Sequence, residues 1–159
     1  MRRLLLLIVS LSVLAAVGCT APPTTEATGG WVGDMVARIN AERAKVGAAP
    51  VQACSNLMTA AQRHSEDQAV HANMSHTGSN GSNMQQRSGA AGYVRWTAMA
   101  ENVAAGQPTV TSVMDAWMSS ARHRQNLLST SYSHVGLGKA ASSTGTPFWT
   151  QNFGRDGTC

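Results

Sequence analysis

Val135-Gly136-Leu137-Gly138 alternates an apolar side chain with glycine, and Phe148-Trp149-Thr150-Gln151-Asn152-Phe153 alternates again beyond a turn that contains Gly145. A period of two belongs to strands, because successive side chains point to opposite faces of a sheet. The two runs therefore predict a C-terminal antiparallel hairpin. Gly136 and Gly138 fall on the same face of their strand. A face without side chains lets a helix pack closely against it.

Upstream the period is helical. Val32, Met35, Val36 and Ile39 recur at i, i+3, i+4 and i+7 and predict a helix over 31–45, with Arg43 and Lys45 in its last turn and Gly47 and Pro50 ending it. A second helix is expected over 55–72, with Ser55 as its N-cap and Leu57, Ala60, Ala61, His64, Gln68 and His71 along one stripe. His64 and His71 lie two turns apart, about 10 Å, too far to share one ion, so both read as packed or capping residues. A short helix is expected over 82–88 and a short strand over 93–96. The 97–105 stretch carries small residues around Glu101-Asn102. A strong helix over 109–119 presents Val110, Val113, Met114 and Trp117 on one face, and Leu127 and Leu128 anchor a loop or helical turn beyond it. Helices first and a hairpin last give an α+β fold in which helices cover a small antiparallel sheet.

The N-terminus reads as an address. Arg2-Arg3 precede an apolar run from Leu4 to Val17 broken only by Ser10 and Ser12. This is shorter than the roughly 20 residues that span a bilayer, so an export signal fits better than an anchor helix. The run ends Ala15-Ala16-Val17-Gly18-Cys19, which resembles a bacterial lipobox, with Ala16 where Leu is commoner. The reading is a lipoprotein signal peptide over 1–18, a lipidated Cys19 that holds the chain to the cell membrane, a flexible tether over 19–30 and one domain over 31–159. Acyl chains anchor by burying methylenes at about 0.8 kcal/mol each, and a coil-like tether of this length reaches on the order of 20 Å. A plain signal with another cleavage point is the alternative.

Composition narrows the function classes. Charged residues make up 13% of the chain, and 12 Lys and Arg against 8 Asp and Glu give +4. Arg2 and Arg3 account for half of that excess, which is too mild for a nucleic-acid binder. Of three cysteines, Cys19 is assigned to the lipid. Cys54 and Cys159 remain, and in an oxidising compartment they most simply pair, closing a loop worth about 4–5 kcal/mol in the chain-entropy model. Two free thiols are the other possibility.

Six segments in order resemble a bacterial CAP (SCP-like) domain, the superfamily of cysteine-rich secretory proteins, antigen 5 and pathogenesis-related 1 proteins. They are Leu57-Met58-Thr59-Ala60-Ala61-Gln62-Arg63-His64-Ser65, Met74-Ser75-His76-Thr77-Gly78-Ser79-Asn80-Gly81, Ala100-Glu101-Asn102-Val103-Ala104-Ala105-Gly106, Ala121-Arg122-His123-Arg124-Gln125-Asn126-Leu127-Leu128, His134-Val135-Gly136-Leu137-Gly138 and Phe148-Trp149-Thr150-Gln151-Asn152-Phe153-Gly154. The resemblance implies an α-β-α sandwich with a surface cleft lined by two histidines and, in many members, two acidic residues. His76 matches the first histidine, Glu101 the first glutamate and His123 the second histidine. The second glutamate, three residues after the tryptophan matched by Trp117, is here Ser120.

Two imidazoles and a carboxylate suit a divalent ion such as Zn²⁺ with one position left for water or substrate. The resemblance further implies binding of a lipid or sterol in apolar grooves, and hence an envelope binding module. The alternative is a metal-dependent hydrolase of peptides or esters, with Glu101 as general base and His76 and His123 on the metal. Ser120 removes the second carboxylate that such chemistry would use. Ser75 adjoins His76, but no Gly-x-Ser-x-Gly elbow accompanies it. His134, at the start of a strand, lies next to the site by the family resemblance, and on its own reads as a packed or solvated strand residue; Arg122 and Arg124 read as a solvated loop or an anion-attracting pair.

Overall fold

The computed structural model describes residues 30–159. The expected signal peptide over 1–18, the expected lipidation site at Cys19 and all of the expected tether except Gly30 lie outside the described residues. The chain runs α1 (Gly30–Lys45), β1 (Gln52–Ala53), α2 (Ser55–His71), α3 (Met84–Ala90), β2 (Ala98–Ala105), α4 (Val110–Ser119), α5 (Ala121–Leu128), β3 (His134–Ala141) and β4 (Pro147–Arg155). The expected C-terminal hairpin is β3–β4, paired from His134 opposite Gly154 to Ala141 opposite Pro147.

The sheet order is β1-β3-β4-β2. β2 pairs antiparallel to β4, with Glu101 opposite Asn152, and β1 adds a short parallel pairing to β3. Where β1 ends, α2 side chains cover the open edge of β3. Met58 Sδ accepts from the Leu137 amide at 3.0 Å, and Gln62 exchanges two hydrogen bonds with the Lys139 main chain, each 3.1 Å. Such cover keeps an unpaired edge from recruiting another strand.

Helices lie on both faces, which is the expected sandwich. On one face Met35 and Ile39 of α1, Val113, Met114 and Trp117 of α4 and Leu127 of α5 pack with Val135, Leu137, Trp149 and Phe153. On the other, a Cβ at Gly136 or Gly138 would collide with the α2 backbone at Leu57 or Ala61. The glycine face therefore receives α2 backbone to strand, as the sequence pattern suggested. Arg43 stitches α1 to the far end of the chain. Its buried guanidinium donates to the carbonyls of Ala49, Leu127, Ser129 and Tyr132 at 2.8–3.1 Å.

Several local expectations are corrected. No strand forms over 93–96; Tyr93 is buried and Arg95 takes a left-handed φ of 61°, which breaks an extended run. The N-cap of α2 is Cys54, without a side-chain cap, and Ser55 Oγ instead donates to the Cys159 carbonyl at 2.8 Å. The short helix begins two residues later than expected, at Met84, because Asn83 and Gln86 form a capping box there. Thr109 likewise caps α4 rather than joining it. The small-residue stretch around Glu101 is strand β2, and residues 121–128 form a full helix, α5.

Candidate functional site: a clamped histidine beside a second imidazole

Glu101 is the centre of the site. It sits on edge strand β2 with a side chain only 4% exposed, and both of its oxygens are engaged. Oε1 lies 2.9 Å from Nδ1 of His76, and Oε2 accepts from Nη2 of Arg87 at 2.7 Å. The His76 ring itself is 59% exposed. A carboxylate on Nδ1 fixes the ring's orientation and leaves Nε2 free to face a ligand.

The loop that carries His76 is tied down at several points. Nη1 of Arg87 donates to the carbonyls of His76 and Ser82 at 3.1 and 2.7 Å. His64 Nε2 pairs with the Ser75 carbonyl at 2.8 Å, and the Ser75 amide donates to Gln68 Oε1 at 3.2 Å. Asp67 accepts from the amide and hydroxyl of Ser79. Burial pushes the Asp67 carboxyl up, but the Ser79 hydrogen bonds outweigh it and hold the group below its ordinary value. His64 is buried and His71 bonds its own helix at the Asp67 carbonyl, so both are packed or capping residues, as expected.

His123 arrives from α5 by a different route. Asn102, the residue after Glu101, points to the opposite face of the sheet and is fully buried. Its amide donates to the His123 carbonyl at 3.2 Å and to Gln151 Oε1 at 3.0 Å, while its Oδ1 accepts from Asn126 at 2.8 Å. Adjacent residues of one strand thus serve both histidines: Glu101 orients the ring of His76, and Asn102 holds the helix of His123. Burial first, then the nearby His76 and Arg122, keep the His123 imidazole below the usual histidine range, so it is neutral at physiological pH. Arg122 and Arg124 are exposed, and Arg124 folds back onto the Met118 carbonyl at 2.9 Å. Ser120 is the junction between α4 and α5 and supplies no carboxylate.

The structure therefore brings His76 and Glu101 into direct contact with His123 as a neighbour. Their ligand atoms do not all fall within 4.8 Å of one another. The described residues offer one group of three that does: Cys54, His134 and Cys159. The two cysteines are joined in the expected disulfide, with Cα atoms 5.1 Å apart. Sequence reasoning missed Arg87, Gln151 and Asn126 as supports of the site. Gln151 and Asn126 stand within the motifs quoted above, while Arg87 lies outside all of them.

The pattern of the cysteine-rich secretory protein (CAP) family matches residues 36–153. The chain belongs to the CAP family. It is 33% identical over 122 residues to YkwD, an uncharacterized protein of Bacillus subtilis, an overlap that takes in 75% of this chain and 45% of that one. The chain thus spans less than half the length of that relative. Among solved structures, an outer surface protein of Borrelia burgdorferi superposes with a TM-score of 0.72 at 19% identity, covering 80% of this chain and 94% of that one. An extracellular SCP-domain protein of Bacillus anthracis gives 0.71 at 23% identity, covering 78% and 40%. These likenesses show the CAP fold. Among the described residues no helix is long and apolar enough to cross a membrane.

Proposed function

We propose that this CAP domain is an envelope binding module, held to the membrane through Cys19, whose cleft takes up a divalent ion such as Zn²⁺ between His76 and His123. The observation that carries this reading is the Glu101 carboxylate on His76 Nδ1, 2.9 Å away and itself fixed by Arg87. A carboxylate behind an imidazole is the outer support of a metal-binding histidine, fixing the ring's orientation. Glu101 serves here as that support rather than as a ligand, because coordination would cost it Arg87 or His76. His123, held neutral, offers a lone pair without first losing a proton. An exported relative, the Bacillus anthracis protein described as extracellular, is consistent with the location.

For a lipid or sterol ligand the supporting feature is an open groove of about 490 Å³ lined by Trp31, Val32, Met58 and Leu137, with Gln62, Arg63 and Glu66 at its rim. Its size suits an acyl chain.

Zinc titration by calorimetry of the wild type and of the His76→Ala, His123→Ala double variant tests the metal reading. Binding in the wild type and its loss in the variant are expected; unchanged affinity in the variant overturns it. Metal-dependent turnover of peptide or ester panels would replace the binding module with the hydrolase. Quenching or shift of Trp31 fluorescence on addition of fatty acid or sterol tests the groove.

A further inference from the structure

Cys54, His134 and Cys159 share no residue with the His76, Glu101 and His123 set and hold a chemistry of their own. Their ligand atoms lie within 4.8 Å of one another. A tetrahedral Zn²⁺ with thiolate and imidazole ligands needs atoms about 3.3–3.8 Å apart; no pair here is farther apart than 4.8 Å, and the two sulfurs, bonded to each other, must part to reach that spacing. With the disulfide formed, both sulfurs lack the free thiolate a metal needs.

What distinguishes this corner from an ordinary bridge is that each ligand is held by something other than the S–S bond. Cys54 caps α2 and its amide donates to the Val135 carbonyl at 2.9 Å. The segment before Cys159 is clamped by Thr158, whose amide donates to Val94 at 3.1 Å and whose carbonyl accepts from Asn56 at 3.0 Å. Ser55 Oγ donates to the Cys159 carbonyl at 2.8 Å, and Gly157 lies so close on the buried Tyr93 ring that no Cβ fits between them. His134 is aligned by Tyr93, whose hydroxyl lies 3.1 Å from Nδ1. A second hydrogen bond on a ligand imidazole is the usual outer support of a metal site. Breaking the bridge therefore frees two sulfurs without dispersing the set. Access is one-sided: residue Cys159 is exposed, while Cys54 is fully buried.

We propose that Cys54, His134 and Cys159 form a redox-gated metal site, closed as a disulfide and opened to Zn²⁺ by a dithiol reductant of the thioredoxin class. The reductant's thiolate attacks Sγ of Cys159, the S–S bond breaks, and its electron pair leaves on Sγ of Cys54. The reductant's second thiolate then displaces Cys159 as a thiolate. The reductant ends as a disulfide, having supplied two electrons and released two protons. The two protein thiolates and one imidazole nitrogen bind the ion, with a fourth position for water.

The test uses the full chain carrying Cys19→Ser, so that no third thiol competes, with Co²⁺ as the probe. Thiolate-to-cobalt charge transfer gives a near-ultraviolet band that the His76/His123 cleft cannot produce, so failure here and failure of the cleft reading are separable. The expected result is no band in the oxidised protein and, after reduction with a phosphine, a band that saturates at one equivalent and is displaced by Zn²⁺. The band is expected to vanish in Cys159→Ser. Affinity is expected to fall by more than about 100-fold in His134→Ala and about tenfold in Tyr93→Phe. A folded, reduced protein without the band overturns the proposal, as does full affinity in His134→Ala. Loss of near-ultraviolet circular dichroism on reduction overturns it as well, because the tail contacts would then not hold the ligands.

Discussion

The two faces of the sheet are built by opposite means. One is filled by large apolar side chains, with Trp117, Trp149 and Phe153 almost wholly buried under α1, α4 and α5. On the other, glycines bring α2 down to the strands, and the residues buried there include His64, Ser65, Gln68, Ser88, Glu101, Thr150 and Asn152. Ser65 and Gln68 share the Thr150 hydroxyl at 2.9 and 3.1 Å. His64 Nδ1, Arg87 Nε, Ser88 Oγ and both amide atoms of Asn152 are buried without a hydrogen-bond partner among the described residues. The apolar face supplies cohesion, since hydrophobic burial is the dominant favourable contribution to folding. The polar face gives up part of that cohesion and gains Glu101, Arg87 and the loop of His76. Glu101 and His76 sit on the costlier face because a buried, oriented carboxylate can exist only where its partners are buried with it, whereas His123 is held from the other face, through Asn102 and α5.

The largest effect is expected where the polar face has no slack. Gly138→Val would drive a branched side chain into the Ala61–Gln62 backbone, and backbone of α2 cannot yield without leaving the sheet. A loss above about 4 kcal/mol is expected, read as little soluble protein or as collapse of the urea midpoint. Gly89→Ala is the control. It has open space around it in α3 and should change stability by no more than about 1 kcal/mol, in the stabilising direction. Equal effects of the two substitutions would show that close approach of the α2 backbone is not what makes Gly138 intolerant.

On the apolar face, Trp117→Ala should cost about 3–5 kcal/mol. It removes a buried indole and its hydrogen bond to the Val103 carbonyl at 3.3 Å. Zinc affinity of the folded fraction should stay at the wild-type value, since the hydrogen bond of this indole goes to the Val103 carbonyl and not to a site side chain. A parallel loss of affinity would mean that the two faces are energetically one.

Arg87→Met sharpens the comparison from the other side. It strands a carboxylate whose side chain is 4% exposed, and breaking a buried pair by removing one partner costs about 3 kcal/mol or more. Adding Glu101→Gln should recover most of that loss, because the uncompensated charge is gone. Metal affinity should fall in both variants, since His76 loses its orienting carboxylate or its charge. No recovery in the double variant would show that Arg87 matters for the loop carbonyls of His76 and Ser82 rather than for Glu101.

How far the sequence could lead follows the same division. The hairpin, the glycine face and the helices α1, α2 and α4 are legible because each repeats a hydrophobic period over many residues. The strand β2 is not: Ala98 to Ala105 is mostly alanine with Glu, Asn and Val, so neither face gives a clear apolar alternation, and its burial comes from both neighbouring layers. The helix α5 is missed for a related reason, since Arg122, His123, Arg124, Gln125 and Asn126 are polar and only Leu127 is fully buried. At the site, the histidines and Glu101 are recognisable from the family's motifs. Arg87 is not, because the contact depends on α3 turning back towards β2. The role of Asn102 is hidden until strand alternation places it on the face opposite Glu101.

The smallest effect expected is acid loss of stability in two stages, and it separates His64 and Asp67 of the polar face from His123 on α5. Burial, the first cause in each case, holds His64 and His123 below the ordinary histidine value of 6.5. Glu101 and Arg87 pull His64 in opposite directions, and His76 adds to the lowering at His123. A histidine depressed in the folded state binds fewer protons there than in the unfolded chain, so stability falls as pH drops below 6.5 and is flat above it. Asp67, held below its ordinary 3.8 by Ser79, adds a second loss only when pH passes below that value. Melting temperature measured against pH should therefore show a plateau above neutrality, a first decline beginning near 6.5 and a second at stronger acid. His64→Gln keeps a donor for the Ser75 carbonyl without a titrating ring, and it should flatten the first decline more than His123→Ala does, because His64 is buried at 1% exposure and His123 is only half-buried. If His64→Gln left the first decline as steep as in the wild type, the buried imidazole of α2 would not be the group that charges, and the polar face would owe its acid sensitivity to the exposed side of the cleft.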